Sequence, residues 1–207
     1  MELTEIYQEI KKKGFCICKN MLTFEEYKKA RDESIKYFSE LLQVAEISNK
    51  ALRGNIEAGM RDIVGSTENK NWNIIRGCFF PWNQININLK NTISLSRKLS
   101  ILRNRMIGIE ENQGSFISEN GFIQYTSLSL YPKYGGFLNK HTDGHYDEDS
   151  DLFIHFKVEL THKNMDYEKG GFYIWDKEGK ETDVSSLIKP TDVIFFSGSQ
   201  HHEIKPI

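Results

Sequence analysis

Six histidines occur in this chain of 207 residues, and all of them lie between His141 and His202. Two sit in patterns that suit a catalytic metal. One is His141-Thr142-Asp143, which directly follows Tyr131-Pro132-Lys133-Tyr134-Gly135-Gly136-Phe137-Leu138-Asn139-Lys140. The other is the late run Phe195-Phe196-Ser197-Gly198-Ser199-Gln200-His201-His202-Glu203-Ile204. An early His-x-Asp and one late histidine make a two-histidine, one-carboxylate face, which leaves coordination positions open on Fe(II). In a strand, residues i and i+2 point to the same side, so His141 and Asp143 can share one ion. A third ligand must come from a distant segment.

The elements that would position these residues are legible in outline. Leu3, Ile6, Tyr7 and Ile10 recur at helical spacing up to Gly14, a residue suited to stopping a helix. Gly14-Phe15-Cys16-Ile17-Cys18 reads as a short buried strand that uses cysteine as a small hydrophobe. Thr23 with Glu26 forms a capping-box signature that opens a long helix to about Val44. Residues 45–90 resist assignment. Ile93, Leu95, Leu99, Leu102 and Met106 predict a second long helix within Leu89 to Ile109.

From Gly121 the texture becomes that of strands: Phe122 to Tyr131, Phe153 to Leu160, Gly171 to Trp175 and Asp192 to Phe196. The second alternates strictly, with Ile154, Phe156, Val158 and Leu160 on one face and Phe153, His155, Lys157 and Glu159 on the other. Helices first and an antiparallel region afterwards predict one α+β domain over residues 1–207 with a small sandwich or barrel as its core. Residues 1–120 would be mostly helical support and substrate-side segments, and 121–207 the metal-bearing core, with or without its last strand. His202, after strand 192–196, would then reach the ion from the opposite side of the barrel mouth.

Bulk properties set limits. Hydrophobic residues are 39% and charged residues 27%, as in an ordinary folded domain. A net charge of −2 gives no basic footprint for nucleic acid. Met1 to Ile6 lacks an apolar leader, and no stretch has the apolar length of a membrane span. Cys16, Cys18 and Cys78 are too few and too scattered for a zinc site and read as free thiols of a reducing cytoplasm.

Three stretches resemble the Fe(II)/2-oxoglutarate-dependent dioxygenases, especially the phytanoyl-CoA dioxygenase and prolyl hydroxylase branches. They are Gly14 to Glu26, similar to the family's opening strand and helix; Tyr131 to Asp143, with Gly-Gly before His-x-Asp; and Gly170-Gly171 through Asp192 to Pro206. The last is similar to the Gly-x-x-x-His-Glu pattern of the family's final strands, a spacing that selects His202 over His201 as ligand. The overlapping His145-Tyr146-Asp147 pattern precedes an acidic run and lacks that Gly-Gly approach, so His141 and Asp143 take precedence.

The resemblance implies a double-stranded β-helix of the jelly-roll or cupin type, flanked by N-terminal helices. It implies Fe(II) held by His141, Asp143 and His202, 2-oxoglutarate as co-substrate, succinate and CO2 as products, and hydroxylation of a C–H bond of a small molecule. Asp143 stands where halogenating relatives carry a small residue. Tyr131, ten positions before His141, matches a tyrosine that contacts 2-oxoglutarate in the prolyl hydroxylase branch. It reads equally as an ordinary strand aromatic. Relatives commonly anchor the distal carboxylate of 2-oxoglutarate with an arginine about ten residues beyond the distal histidine. The sequence given ends at Ile207, five positions beyond His202, so the expectation is that the anchor lies past this sequence, that it is another cation, or that 2-oxoglutarate is not used. Lys157, on the polar face of its strand, is the candidate; its other reading is an exposed lysine or one paired with Glu159. A cupin-like metal protein without 2-oxoglutarate, or a non-catalytic binding module on the same barrel, would carry the same pattern.

Overall fold

A computed structural model describes residues 1–48, 60–65, 71–79, 89–114, 126–133, 135–143 and 153–207. The His145-Tyr146-Asp147 pattern, its acidic run and the first residues of the expected 122–131 strand lie outside this set.

Helix α1 (Leu3–Lys13) buries Ile6 and Ile10, one turn apart, and ends at Gly14, whose φ of 94° admits few other residues. Strand β1 (Phe15–Cys18) follows, with Cys16 and Cys18 buried beside Ile6 and Ile10, as expected of core thiols. Helix α2 (Phe24–Ser48) opens on the anticipated capping box. The Glu26 amide donates to Thr23 Oγ1 at 3.1 Å, and the Thr23 amide donates to Glu26 Oε2 at 2.8 Å. Helix α3 (Lys90–Met106) has no cap of its own. The Glu33 carboxylate of α2 accepts its Asn91 and Thr92 amides, each at 2.9 Å, so a negative charge sits at the positive end of α3.

Ten further strands complete the described fold: β2 (Met60–Gly65), β3 (Trp72–Asn73), β4 (Ile75–Phe79), β5 (Thr126–Leu130), β6 (Phe137–His141), β7 (Ile154–Lys157), β8 (Gly171–Trp175), β9 (Glu181–Asp183), β10 (Val193–Ser197) and β11 (His202–Lys205). Every pairing between these strands is antiparallel. They form three sheets, in the orders β1-β10-β7, β3-β6-β11-β8-β9 and β2-β4-β5. Along the chain β6, β7, β8, β10 and β11 alternate between the first two sheets.

The layers explain the sequence of β10. Val193 and Phe195 pack with Ile6, Ile10, Leu95 and Leu99 of the helices, whereas Ile194 and Phe196 pack with Phe172, Ile174 and Ile204 of the five-stranded sheet. With a helical layer on one face and a sheet on the other, β10 has no polar side. Strand β7 follows the same division. Ile154, Phe156, Val158 and Leu160 join the helix-side cluster, leaving His155, Lys157 and Glu159 on the inter-sheet side.

Strands β2, β3 and β4 fall within residues 1–120 beside the helices expected there, and β2 and β4 join β5 in a sheet of their own. One expectation needs correction. The strand expected to reach Leu160 ends at Lys157, because Lys157 already faces Ile194 near the start of β10 and the ladder runs out there.

Candidate metal centre

His141 closes β6 and His202 opens β11, and the two are direct register partners on adjacent strands. Their rings lie 4.3 Å apart. His202 therefore arrives from the neighbouring strand of the same sheet, not from across a barrel mouth. The register shifts between His202 and Ile204, so the pairing that aligns the imidazoles is local to this end of the ladder.

Both rings are held in the same way. His141 Nδ1 lies 2.7 Å from the Asn139 carbonyl and His202 Nδ1 lies 2.9 Å from the Gln200 carbonyl. A carbonyl only accepts, so each Nδ1 carries the proton and each Nε2 presents its lone pair. This is the outer-shell arrangement that fixes imidazole ligands in metal sites. The Nε2 atoms turn to Asp143, at 3.6 Å from Oδ1 for His141 and 3.3 Å from Oδ2 for His202. One ligand atom from each of the three residues falls within 4.8 Å of the others, so the trio could hold one metal ion.

Asp143 stands just beyond β6 and is fixed through its backbone, the amide donating to the Gly198 carbonyl at 3.0 Å. The Gly198 amide in turn donates to the Phe153 carbonyl at 2.8 Å. A side chain on Gly198 would strike the Phe153 ring, so this crossing needs glycine. Burial works to raise the Asp143 carboxyl, but its contacts with His141 and His202 and the field of His155 outweigh it, and the group is held well below the usual carboxylate range. The same contact with Asp143 raises the His141 imidazole against its partial burial.

A third imidazole, which the sequence reading left as a polar face residue, belongs to this centre. His155 Nε2 lies 3.2 Å from Asp143 Oδ2, buried and without an aligned hydrogen bond. Burial pushes the His155 imidazole down to about 4 although Asp143 pulls it up, which keeps it neutral. The alternation of β7 was the signal that could have placed it here. Around the imidazoles stand aromatic rings: Phe153 at 4.4 Å and Phe196 at 5.3 Å from His155, and Phe172 at 6.0 Å from His202.

The remaining predicted residues sort as follows. His201 is exposed and its carbonyl accepts the Trp175 amide at 3.0 Å, so its side chain leaves the centre to His202. Lys157 reaches inward, salt-bridged to the buried Glu159 at 2.8 Å and lying 4.5 Å from the centre of the Phe172 ring. It is thus both the inward cation and the partner of Glu159. The Tyr131 phenol is half-buried in the inter-sheet cluster, and burial pushes it up to about 12 although the Arg76 charge works against that shift. Arg76 itself was not anticipated. It sits on β4, in the segment whose elements the sequence did not reveal. His162 lies apart from the metal centre, buried against Tyr27 with 5.6 Å between rings.

No protein-family model matches this sequence, and no curated protein matches it. Solved structures do. A prolyl-4-hydroxylase of Pseudomonas putida is 14% identical with a TM-score of 0.58, over 99% of this chain and 91% of that one. A prolyl hydroxylase of Trichoplax adhaerens, solved with a hypoxia inducible factor peptide, is 14% identical with a TM-score of 0.56, over 99% and 82% of the two chains. AviO1 of Streptomyces viridochromogenes is 10% identical with a TM-score of 0.60, over 99% and 88%. The chain shares their fold. Among the described residues no helix is long and apolar enough to cross a membrane.

Proposed function

We propose that the protein is a non-haem Fe(II)/2-oxoglutarate-dependent oxygenase that hydroxylates a C–H bond of a small-molecule substrate. In this reading it is a single domain with a double-stranded β-helix core, and His141, Asp143 and His202 are the iron ligands. The observation that carries it is the matched pair of imidazoles: both Nδ1 atoms are committed to carbonyls of their own strands and both Nε2 atoms converge on one carboxylate. Two imidazoles and a carboxylate suit Fe(II) and leave positions open. The alternation of β6, β7, β8, β10 and β11 between two sheets supports the β-helix, as does the fold shared with hydroxylases.

When bound, iron with 2-oxoglutarate and O2 supplies the oxidising power, one oxygen atom ending in succinate beside released CO2 and the other in the new hydroxyl. The chain's own residues do the rest. Phe153 lines the His155 imidazole, Phe172 and Phe196 line that of His202, and His155 borders the Asp143 carboxylate. Tyr131 and Lys157 offer polar groups to the co-substrate from the inter-sheet space. The free thiols of Cys16 and Cys18 agree with a reducing, cytoplasmic setting.

The test is an anaerobic titration with Fe(II) and 2-oxoglutarate, followed by the visible charge-transfer band of the ternary complex. The band is expected only when both are present and is expected to vanish in His202→Ala. Iron uptake without a 2-oxoglutarate-dependent band would instead favour a cupin-like metal protein. Absence of iron uptake would leave a binding module.

A further inference from the structure

The candidate metal centre draws on two sheets. His141 and His202 belong to strands of the five-stranded sheet, whereas His155 belongs to β7 of the three-stranded sheet, opposite Phe196 of β10. Asp143 lies between them. Its Oδ2 is 3.2 Å from His155 Nε2 and 3.3 Å from His202 Nε2, and its Oδ1 is 3.6 Å from His141 Nε2. Three imidazoles thus surround one carboxylate, and they do not all stand to it in the same way.

The difference lies at the far ring nitrogen. His141 and His202 each give the Nδ1 proton to the carbonyl two residues back, that of Asn139 and of Gln200, and so present a bare Nε2. For His155 the carbonyl two residues back is that of Phe153, and it accepts the Gly198 amide at 2.8 Å. Among the described residues no carbonyl accepts from His155 Nδ1. A neutral imidazole has one proton for its two nitrogens. With the proton on Nδ1, the Nε2 lone pair would face the Asp143 anion at 3.2 Å; with the proton on Nε2, the same distance is that of a charge-assisted hydrogen bond. His155 Nε2 is also closed off from solvent and has no other partner. A buried N–H must be paired, and a turn of the carboxylate about its Cβ–Cγ bond lines it up while leaving the backbone in place.

Packing brings the ring to this spot. Phe153 meets it edge-on at 4.4 Å, Phe196 lies 5.3 Å away, and a Cβ on Gly198 would come within 3.1 Å of Nε2. The Gly198 carbonyl also accepts the Asp143 amide at 3.0 Å, so one glycine admits both the imidazole of β7 and the backbone of Asp143.

We infer that His155 is a positioning residue: as the Nε2–H tautomer it donates to Asp143 Oδ2 and aims the carboxylate at the ion without being a ligand itself. The inference rests on the reading of His141, Asp143 and His202 as a metal centre. Asp143 stands just beyond β6, where no ladder holds it, and would be tethered twice, through its backbone by Gly198 and through its side chain by His155. A fourth protein ligand, by contrast, would close one of the positions that an oxygenase keeps open.

Long-range 1H–15N correlation spectra of the full chain read the tautomers directly. The His155 ring signals are identified by their loss in both His155→Phe and His155→Gln. The metal-free chain should show a protonated Nε2 on His155 and a protonated Nδ1 on His141 and His202. With Zn(II), a redox-silent probe, the Nε2 signals of His141 and His202 should move to metal-bound positions while His155 Nε2 keeps its proton. A protonated Nδ1 on His155 would overturn the inference, as would loss of the Nε2 proton to Zn(II), which would make His155 a fourth ligand.

Chelator competition with Zn(II) supplies the second readout. His155→Phe should bind about 10–100-fold more weakly than the parent. His155→Gln, whose amide N–H can reach the same oxygen, should bind at least about threefold more tightly than His155→Phe, the low end of what one hydrogen bond contributes. A residue that only fills space would give no such recovery, so equal affinities of the two variants would overturn the positioning role. Failure of the parent to take up Zn(II) would overturn the metal-centre reading, and the tautomer of the metal-free chain would still decide the hydrogen bond between His155 and Asp143.

Discussion

Removing the Lys157 ammonium exposes how the inter-sheet space balances its charge. The Glu159 side chain is 6% exposed and the Lys157 side chain 27% exposed, with 2.8 Å between Nζ and Oε1. In Lys157→Met the carboxylate stays buried and keeps the Ser185 hydroxyl and the long contact from Tyr167 OH at 3.4 Å, but loses its cation. Breaking a buried pair by removing one partner costs about 3–5 kcal/mol, because an uncompensated charge remains. Here the Ser185 hydrogen bonds still solvate the carboxylate and the lysine end touches water, which places the cost near the low end, about 3 kcal/mol. For a chain of this size that is a drop of roughly 6–12 °C in Tm.

Glu159→Gln should cost less, because the freed ammonium can turn toward solvent. The double variant Lys157→Met/Glu159→Gln should return to within about 1 kcal/mol of the parent, since no buried charge is left unpaired. Urea unfolding of the parent, the two single variants and the double variant at equal m-values gives the coupling energy. A loss below about 1 kcal/mol in Lys157→Met, or a double variant as unstable as the sum of the singles, would refute this balance.

Four further outcomes are expected. His141→Ala, Asp143→Ala and His202→Ala should each abolish iron uptake in a metal-content assay, while His201→Ala, whose side chain points outward, should retain it. Asp143→Gly should stay folded by circular dichroism and lose hydroxylation, and unchanged turnover would remove Asp143 from the site. His155→Phe should weaken iron affinity about 10–100-fold in a chelator competition, the usual cost of losing an outer-shell partner; an unchanged affinity would leave His155 as wall only. His162 is buried with no hydrogen bond at either ring nitrogen among the described residues, and burial holds it below its ordinary 6.5. The unfolded chain takes up that proton first, so the contribution of this residue should be constant above about pH 6.5 and fall below it, and His162→Gln should lessen the fall in urea midpoints between pH 7.5 and 5, to which the depressed His155 also contributes.

What the sequence disclosed was what is local. Thr23 and Glu26 announce a helix start because both partners of the capping box lie within four residues. His141 and Asp143 announce a ligand pair because strand geometry couples i with i+2. The alternation of β7 told which residues face inward, and the Lys157–Glu159 pair follows from the same period. What stayed hidden depends on register between distant segments. That His202 stands beside His141 is a fact about the β6–β11 ladder, and that Arg76 reaches Ser129 is a fact about β4 and β5, some fifty residues apart. No spacing within either strand contains that information. The unbroken apolar run of β10 was legible as a strand, but the layers that make it apolar on both sides were visible only once helices α1 and α3 had a sheet to cover.

The two faces of the three-stranded sheet also separate two chemistries that harm each other. Cys16 and Cys18, with Sγ atoms 3.9 Å apart, lie among Ile6, Ile10, Val193 and Phe195 on the helix side, while His155 and Phe196 look toward the metal centre from the other. One thickness of sheet therefore stands between these two buried thiols and the place where, in the proposed oxygenase reading, oxygen would be activated. A turnover that misfires for want of substrate would meet the rings of Phe153, Phe196 and Tyr131 before it met a thiol. If the protein is such an oxygenase, its ageing should then be written in hydroxylated aromatic residues, detectable as mass additions of one oxygen, with Cys16 and Cys18 still reduced.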